Sequence, residues 1–101
     1  MTYFVSVTYD LEYAKTSDYP KVKAELENLD FSKVISGRKK NEVSLPSNTF
    51  VAEFDADEFD KTKDAAEWVS IEFKKITTRL GLSGKFFVSA GRNWAWKLGS
   101  F

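Results

Sequence analysis

The chain contains no cysteine and no histidine. The first absence excludes disulfides, thiolate metal sites and cysteine nucleophiles, and the second removes imidazole, the commonest general base near neutral pH. A zinc centre is close to excluded on composition alone. Net charge is missing as well: 15 Lys and Arg balance 15 Asp and Glu. No global field therefore draws the protein to nucleic acid or to an anionic membrane, and any such affinity must come from a local patch. There is no run of about 18 apolar residues, and Met1-Thr2-Tyr3-Phe4-Val5 lacks the basic segment and apolar stretch of a secretory leader. The expectation is a cytoplasmic protein with no membrane partner. No repeat, linker or low-complexity tract interrupts the sequence, and 101 residues suit a single domain, 1–101, with one modest core.

What is present is patterned. Over residues 2–11, Tyr3, Val5, Val7 and Tyr9 alternate with Phe4, Ser6, Thr8 and Asp10, the period-two signature of a half-buried strand. Ser17 or Asp18 can cap a first helix, Pro20 suits its first turn, and Tyr19, Val22, Leu26 and Leu29 make an apolar stripe that ends near Asn28. Phe31, Val34 and Ile35 fit a short second strand, followed by a polar hairpin tip over 37–42. Strand three covers 49–55, alternating Phe50, Ala52 and Phe54 with Thr49, Val51 and Glu53. From about Lys61, Ala65, Val69, Phe73, Ile76 and Leu80 recur at steps of three or four, and Gly81 stands just past that helix. Lys85 to Ala90 forms the fourth strand, leaving 91–101 as an aromatic tail.

This βαββαβ order predicts a ferredoxin-like α+β sandwich: a four-stranded antiparallel sheet, spatial order 4-1-3-2, with both helices on one face. Trp94 and Trp96 alternate as a fifth strand would, and such a tail packs on its own sheet edge or on a partner. The plan also fixes directions. Asp10, the Lys15 loop, the Arg38-Lys39-Lys40 tip and the Gly81 to Lys85 turn fall at one end of the sheet. Glu53 and Asp55 fall at the other, roughly 15 to 20 Å from Asp10, too far for an intrachain carboxylate pair.

An opening strand that closes on Tyr9-Asp10, followed by a helix and a second strand, resembles the small CRISPR adaptation subunit and the VapD-type ribonucleases. The resemblance implies that Asp10 belongs to a metal site at a dimer interface. The chain is also similar to the GhoS family of antitoxin endoribonucleases, which share the fold and cleave a toxin's messenger. The words that carry this likeness are Thr2-Tyr3-Phe4-Val5-Ser6, Leu29-Asp30-Phe31-Ser32-Lys33-Val34-Ile35 and Leu45-Pro46-Ser47-Asn48-Thr49-Phe50. They cover roughly the first half and leave the second helix and the tail unmatched.

The resemblance implies RNA as partner, a homodimer, and a small endoribonuclease antitoxin of a prokaryotic or phage toxin–antitoxin system. The residues themselves allow more than one reading. Asp10 could ligate Mg²⁺ or Mn²⁺ as a pair across a twofold axis, or simply cap the turn after its strand. Arg38, with Lys39, Lys40, Lys15 and Lys85, could clamp RNA phosphates, and a basic hairpin tip also guards a sheet edge. If no metal serves, Arg38 and its lysines must stabilise the transition state while the RNA 2′-hydroxyl attacks. Phe4, Val51 and Phe87 on the helix-free face, with Trp94 and Trp96, suit a dimer interface. They suit equally a non-enzymatic phage or mobile-element protein that docks on a host defence complex.

Overall fold

The computed structural model describes residues 2–35, 43–92 and 97. Thr2–Glu12 forms strand β1, and its alternation sorts cleanly: Tyr3, Val5, Val7 and Tyr9 are buried, whereas Phe4, Ser6, Thr8 and Asp10 lie on the other face. It is the central strand of a three-stranded antiparallel sheet, flanked by β4 (Thr49–Asp55) and β5 (Ser83–Gly91). The register sets Val5 opposite Ala52 and Ala90, and Val7 opposite Phe50 and Val88. All of these side chains consequently share the core side.

Helices α1 (Asp18–Asn28) and α2 (Thr62–Arg79) contribute to that core with Val22 and Leu26, and with Ala65, Val69, Phe73 and Ile76. Burying each large apolar side chain contributes about 1.5–3 kcal/mol, so the stripe read from the sequence of α2 is its stabilising face. Both helices stop the same way. After α2, Gly81 takes φ 70° and the N–H groups of Gly81 and Leu82 donate to the carbonyls of Thr78 and Thr77. After α1, Asp30 takes the left-handed conformation at φ 69°, and the N–H groups of Asp30 and Phe31 donate to Glu27 and Leu26. These reciprocal bonds satisfy carbonyls that the helix leaves free. At the start of α1, Ser17 makes no side-chain cap, and Asp18 instead accepts from the Lys15 N–H at 2.8 Å. Arg79 and Glu25 join the two helices by a hydrogen-bonded ion pair of 2.5 Å.

The sheet departs from the expected four strands. The second strand shrinks to β2 (Val34–Ile35), which pairs with β3 (Val43–Ser44) as a separate hairpin. Among the described residues, Ser32 forms an isolated bridge to the edge of β4, exchanging N–H and carbonyl bonds with Val51 at 2.8 and 2.9 Å. One residue later the pairing turns away: the Lys33 carbonyl accepts from Leu45, and the Ser32 hydroxyl accepts from the Val34 N–H. Backbone groups that would have extended the sheet are thus satisfied locally. The neighbour relations β5-β1-β4 still agree with the 4-1-3 part of the predicted order. The Arg38-Lys39-Lys40 tip and the Trp94 and Trp96 pair, with the fifth strand expected there, lie outside the described residues. Among the described residues no helix is long and apolar enough to cross a membrane.

Candidate nucleic-acid interface

One end of the sheet, where β1 finishes and β4 and β5 begin, holds three of the residues singled out by sequence, Asp10, Lys15 and Lys85. Asp10 stands directly opposite Lys85, and Glu12 opposite Ser83. Asp10 and Lys85 are both exposed, and no ion pair joins them. A cleft of about 270 Å³ opens between the last turns of α2 and the start of β5, lined by Asp10, Leu11, Phe73, Lys74, Thr77 and Lys85 among others. Its apolar wall is fixed by Phe73, whose ring packs 5.3 Å from Tyr9 and 5.0 Å from Phe86. Gly84 allows the close approach that forms its corner: a Cβ there would meet the Asp10 carbonyl oxygen at 2.1 Å. Lys15 lies on the loop beside this end, tied back through its backbone to Asp18.

The opposite end carries the other charge. Glu53 pairs with Phe4 and Asp55 with Thr2, and the chain then runs through Asp57, Glu58, Asp60 and Asp64 before α2 is established. From the register, Asp10 is six strand positions from Glu53, roughly 20 Å at 3.3 Å per residue. The expectation that they form no intrachain pair holds. Against these acids stand Lys15, Lys21, Lys23, Lys33, Lys74 and Lys85, all at or towards the Asp10 end. Lys61, Lys63 and Arg92 at the acidic end, and Asp10, Glu12 and Asp18 at the basic one, dilute the contrast without reversing it. Among the described residues, charge is therefore unevenly distributed along the strands.

Metal binding is a separate matter. Among the described residues no group of three or more Asp or Glu side chains is placed to hold a cation. Asp10 supplies one carboxylate, with Lys85 opposite it in the ladder. The helix-free face carries Phe87, 68% exposed, beside the partly buried Phe4 and Val51. Between them run hydroxyls, with Ser6 and Ser89 in contact at 2.7 Å and Thr8 near Thr49 at 3.4 Å.

Sequence reasoning missed several contributors to the basic end, Lys21 and Lys74 among them. Tyr13 is fully exposed and holds φ 54°, a conformation costly for an aromatic residue. Its signal was a tyrosine just past a strand end. Lys23 and Lys33 line a second cleft at this end, together with Tyr9, Tyr19, Asn48 and Phe50. They are far apart in sequence, and only the direction of α1 and β4 brings them together. Compared with known proteins, the chain matches no family model and no curated protein.

Proposed function

We propose that the protein binds RNA through its lysine-rich end and acts as a small antitoxin of the endoribonuclease kind that its first half resembles. The observation that supports this reading is the segregation of charge. Phosphate contacts dominate nucleic-acid affinity, and in a neutral chain they require the lysines to be collected on one surface, as Lys15, Lys23, Lys33, Lys74 and Lys85 are. Tyr13 adds an exposed ring beside them, the kind of platform on which a single-stranded base stacks. Cleavage without histidine would run by attack of the RNA 2′-hydroxyl on the adjacent phosphorus. The 2′-hydroxyl gives its proton to water, the 5′-oxygen leaves as a hydroxyl by taking a proton from water, and a 2′,3′-cyclic phosphate remains, while lysines and Arg38 counter the charge that builds on the phosphate oxygens.

The test is fluorescence anisotropy with single-stranded RNA at increasing salt. Replacing Lys74 and Lys85 together by Ala should lower affinity and reduce the salt slope of log K by about 0.7 per lost contact. Tyr13→Ala should cost about 1–3 kcal/mol of affinity. A parent protein that binds no RNA at about 50 mM salt refutes the reading, because electrostatic contacts are strongest there. Asp10→Asn, assayed for cleavage with Mg²⁺ or Mn²⁺, separates the two chemical routes. Loss of cleavage by orders of magnitude makes Asp10 the carboxylate of a cation shared between two copies, and unchanged cleavage makes it structural. Exposed Phe87 on an open sheet face favours a second reading, a non-enzymatic protein that docks on a host defence complex.

A further inference from the structure

The second cleft at the basic end differs from the first in its chemistry. It holds about 240 Å³ between the first turns of α1 and the β1–β4 pair, and its walls are Tyr9, Tyr19, Pro20, Lys23, Lys33, Asn48 and Phe50. Among the described residues no carboxylate lines it. Two lysines, an asparagine and two tyrosines line it instead, residue types whose side chains can each donate a hydrogen bond to an anion. Neither Lys23 nor Lys33 is engaged by an acidic partner. Lys33 Nζ stands 5.9 Å from the centroid of the Phe50 ring, so a cation–π contact holds the charge at the cleft without neutralising it.

The floor is rigid. Tyr9 and Phe50 are buried, with rings nearly parallel at 12° and centroids 6.0 Å apart. The Tyr9 hydroxyl hydrogen-bonds to no described protein group. Burial, with Tyr19 beside it, raises its pKa to about 12, so it remains a protonated donor at neutral pH. Asn48 is fixed from the other side, since its carbonyl accepts the Tyr9 N–H at 3.3 Å and its backbone is turned to φ 64°. At the rim, half-buried Tyr19 and exposed Pro20 offer flat apolar surface.

Hydrogen-bond donors with no described carboxylate among them, two lysines without an acidic partner and a flat rim together describe a ligand with an anionic head and a planar body. We infer that this cleft binds one nucleotide, its phosphate held by Lys23, Lys33 and Asn48 and its base resting against Tyr19 and Pro20. The volume lies just under the roughly 300 Å³ at which drug-sized sites begin, so the cleft takes a single unit. That unit can be a free mononucleotide or the 5′-phosphorylated end of an RNA strand, and only the RNA source rests on the function proposed above.

The experiment is a ¹⁵N NMR titration of the full chain with inorganic phosphate, AMP, UMP and a tetraribonucleotide with and without its 5′-phosphate. AMP or UMP should move the amide signals of Tyr9, Lys33 and Asn48 at concentrations where inorganic phosphate does not. Lys33→Met, which keeps the stem over Phe50, and Lys23→Gln should each weaken binding about tenfold, the worth of one charge-assisted hydrogen bond. Tyr19→Ala should weaken nucleotide binding alone, and the Lys74→Ala and Lys85→Ala double variant should bind AMP as the parent does. A 5′-phosphorylated tetranucleotide that binds more tightly than its dephosphorylated form supports the RNA source, and equal binding of the two overturns it while leaving the mononucleotide arm to stand. Shifts that map elsewhere, binding unaffected by both lysine variants, or phosphate binding as tightly as AMP overturns the assignment. A protein that binds AMP here but no RNA refutes the function proposed above and upholds this site.

Discussion

Gly84→Ala tests how the mouth of the first cleft is built. Gly84 faces Leu11 in the β1–β5 ladder, at φ 157°, and an added Cβ would stand 2.1 Å from the Asp10 carbonyl oxygen and 3.0 Å from the Leu11 Cα. Ordinary contact begins at 3.4 Å, so the two strands must part by about 1.3 Å. Both clashing atoms are backbone, and no side chain can swing aside to absorb the change. An unfavourable φ costs about 1–3 kcal/mol, and each ladder hydrogen bond that opens costs about 1 kcal/mol more. A loss near 3 kcal/mol is expected, a large fraction of the 5–15 kcal/mol typical of such a domain. Urea unfolding measures it, and amide exchange at Leu11, Glu12 and Lys85 locates it. Gly81 is the control. It sits at φ 70° with nothing within 4 Å of its added Cβ, so Gly81→Ala should cost only about 1–2 kcal/mol, the price of the left-handed turn, and Gly81→Asn less. Gly84→Asn should show no such relief. A Gly84→Ala protein within about 0.5 kcal/mol of the parent, with amide protection unchanged, would refute the close-approach argument.

Two further outcomes are expected. Tyr9 keeps its proton to about pH 12 when folded and loses it near pH 10 when unfolded. Stability is therefore intact below pH 10 and falls as pH rises from 10 to 12. The ceiling is about 2.7 kcal/mol, and because the side chain borders an open cleft a loss of about 1–2 kcal/mol is expected. Tyr9→Phe should remove that part of the decline in urea melts taken between pH 8 and 11.5, and a parent and variant that decline in parallel would show that the hydroxyl is not desolvated. On the helix-free face, light scattering at micromolar concentration should give about twice the monomer mass, and Phe87→Ser should give the monomer. A parent that stays monomeric at hundreds of micromolar would remove the homodimer and, with it, any cation shared by two Asp10 carboxylates.

Elements whose burial is periodic were legible in the chain. The alternation from Tyr3 to Tyr9, the bounds of β4 and the stripe from Ala65 to Ile76 all emerged as read, because each is decided by local pattern against a single core. The fourth strand failed for a reason that local pattern cannot carry. Phe31 is buried as expected, but beyond Ser32 the chain had two ways to satisfy its backbone, the edge of β4 or its own hairpin. Lys33 and Leu45 settled the choice. At the site, Asp10 and Lys85 could be placed at one end from topology alone. The Lys23 and Lys33 cleft could not, since it needs the facing of α1 against β4 and the stacking of Tyr9 on Phe50. Gly84 fell within the turn expected from Gly81 to Lys85, whereas β5 already includes it, and its proximity to Asp10 is a property of two backbones.

Among the described residues the lysines beside Asp10 and the acids from Glu53 to Asp64 are separated along β1, which makes a dipole in a chain of zero formal net charge. A neutral particle of this kind is not drawn from afar, for its field falls faster with distance than that of a net charge. Within about a Debye length, near 8 Å at physiological salt, it experiences a torque instead. The lysine-rich end then swings towards a polyanion and the Glu53 to Asp64 end swings away. Electrostatics would here select orientation among encounters that diffusion alone supplies, so added salt should spoil the aim of collisions more than their frequency.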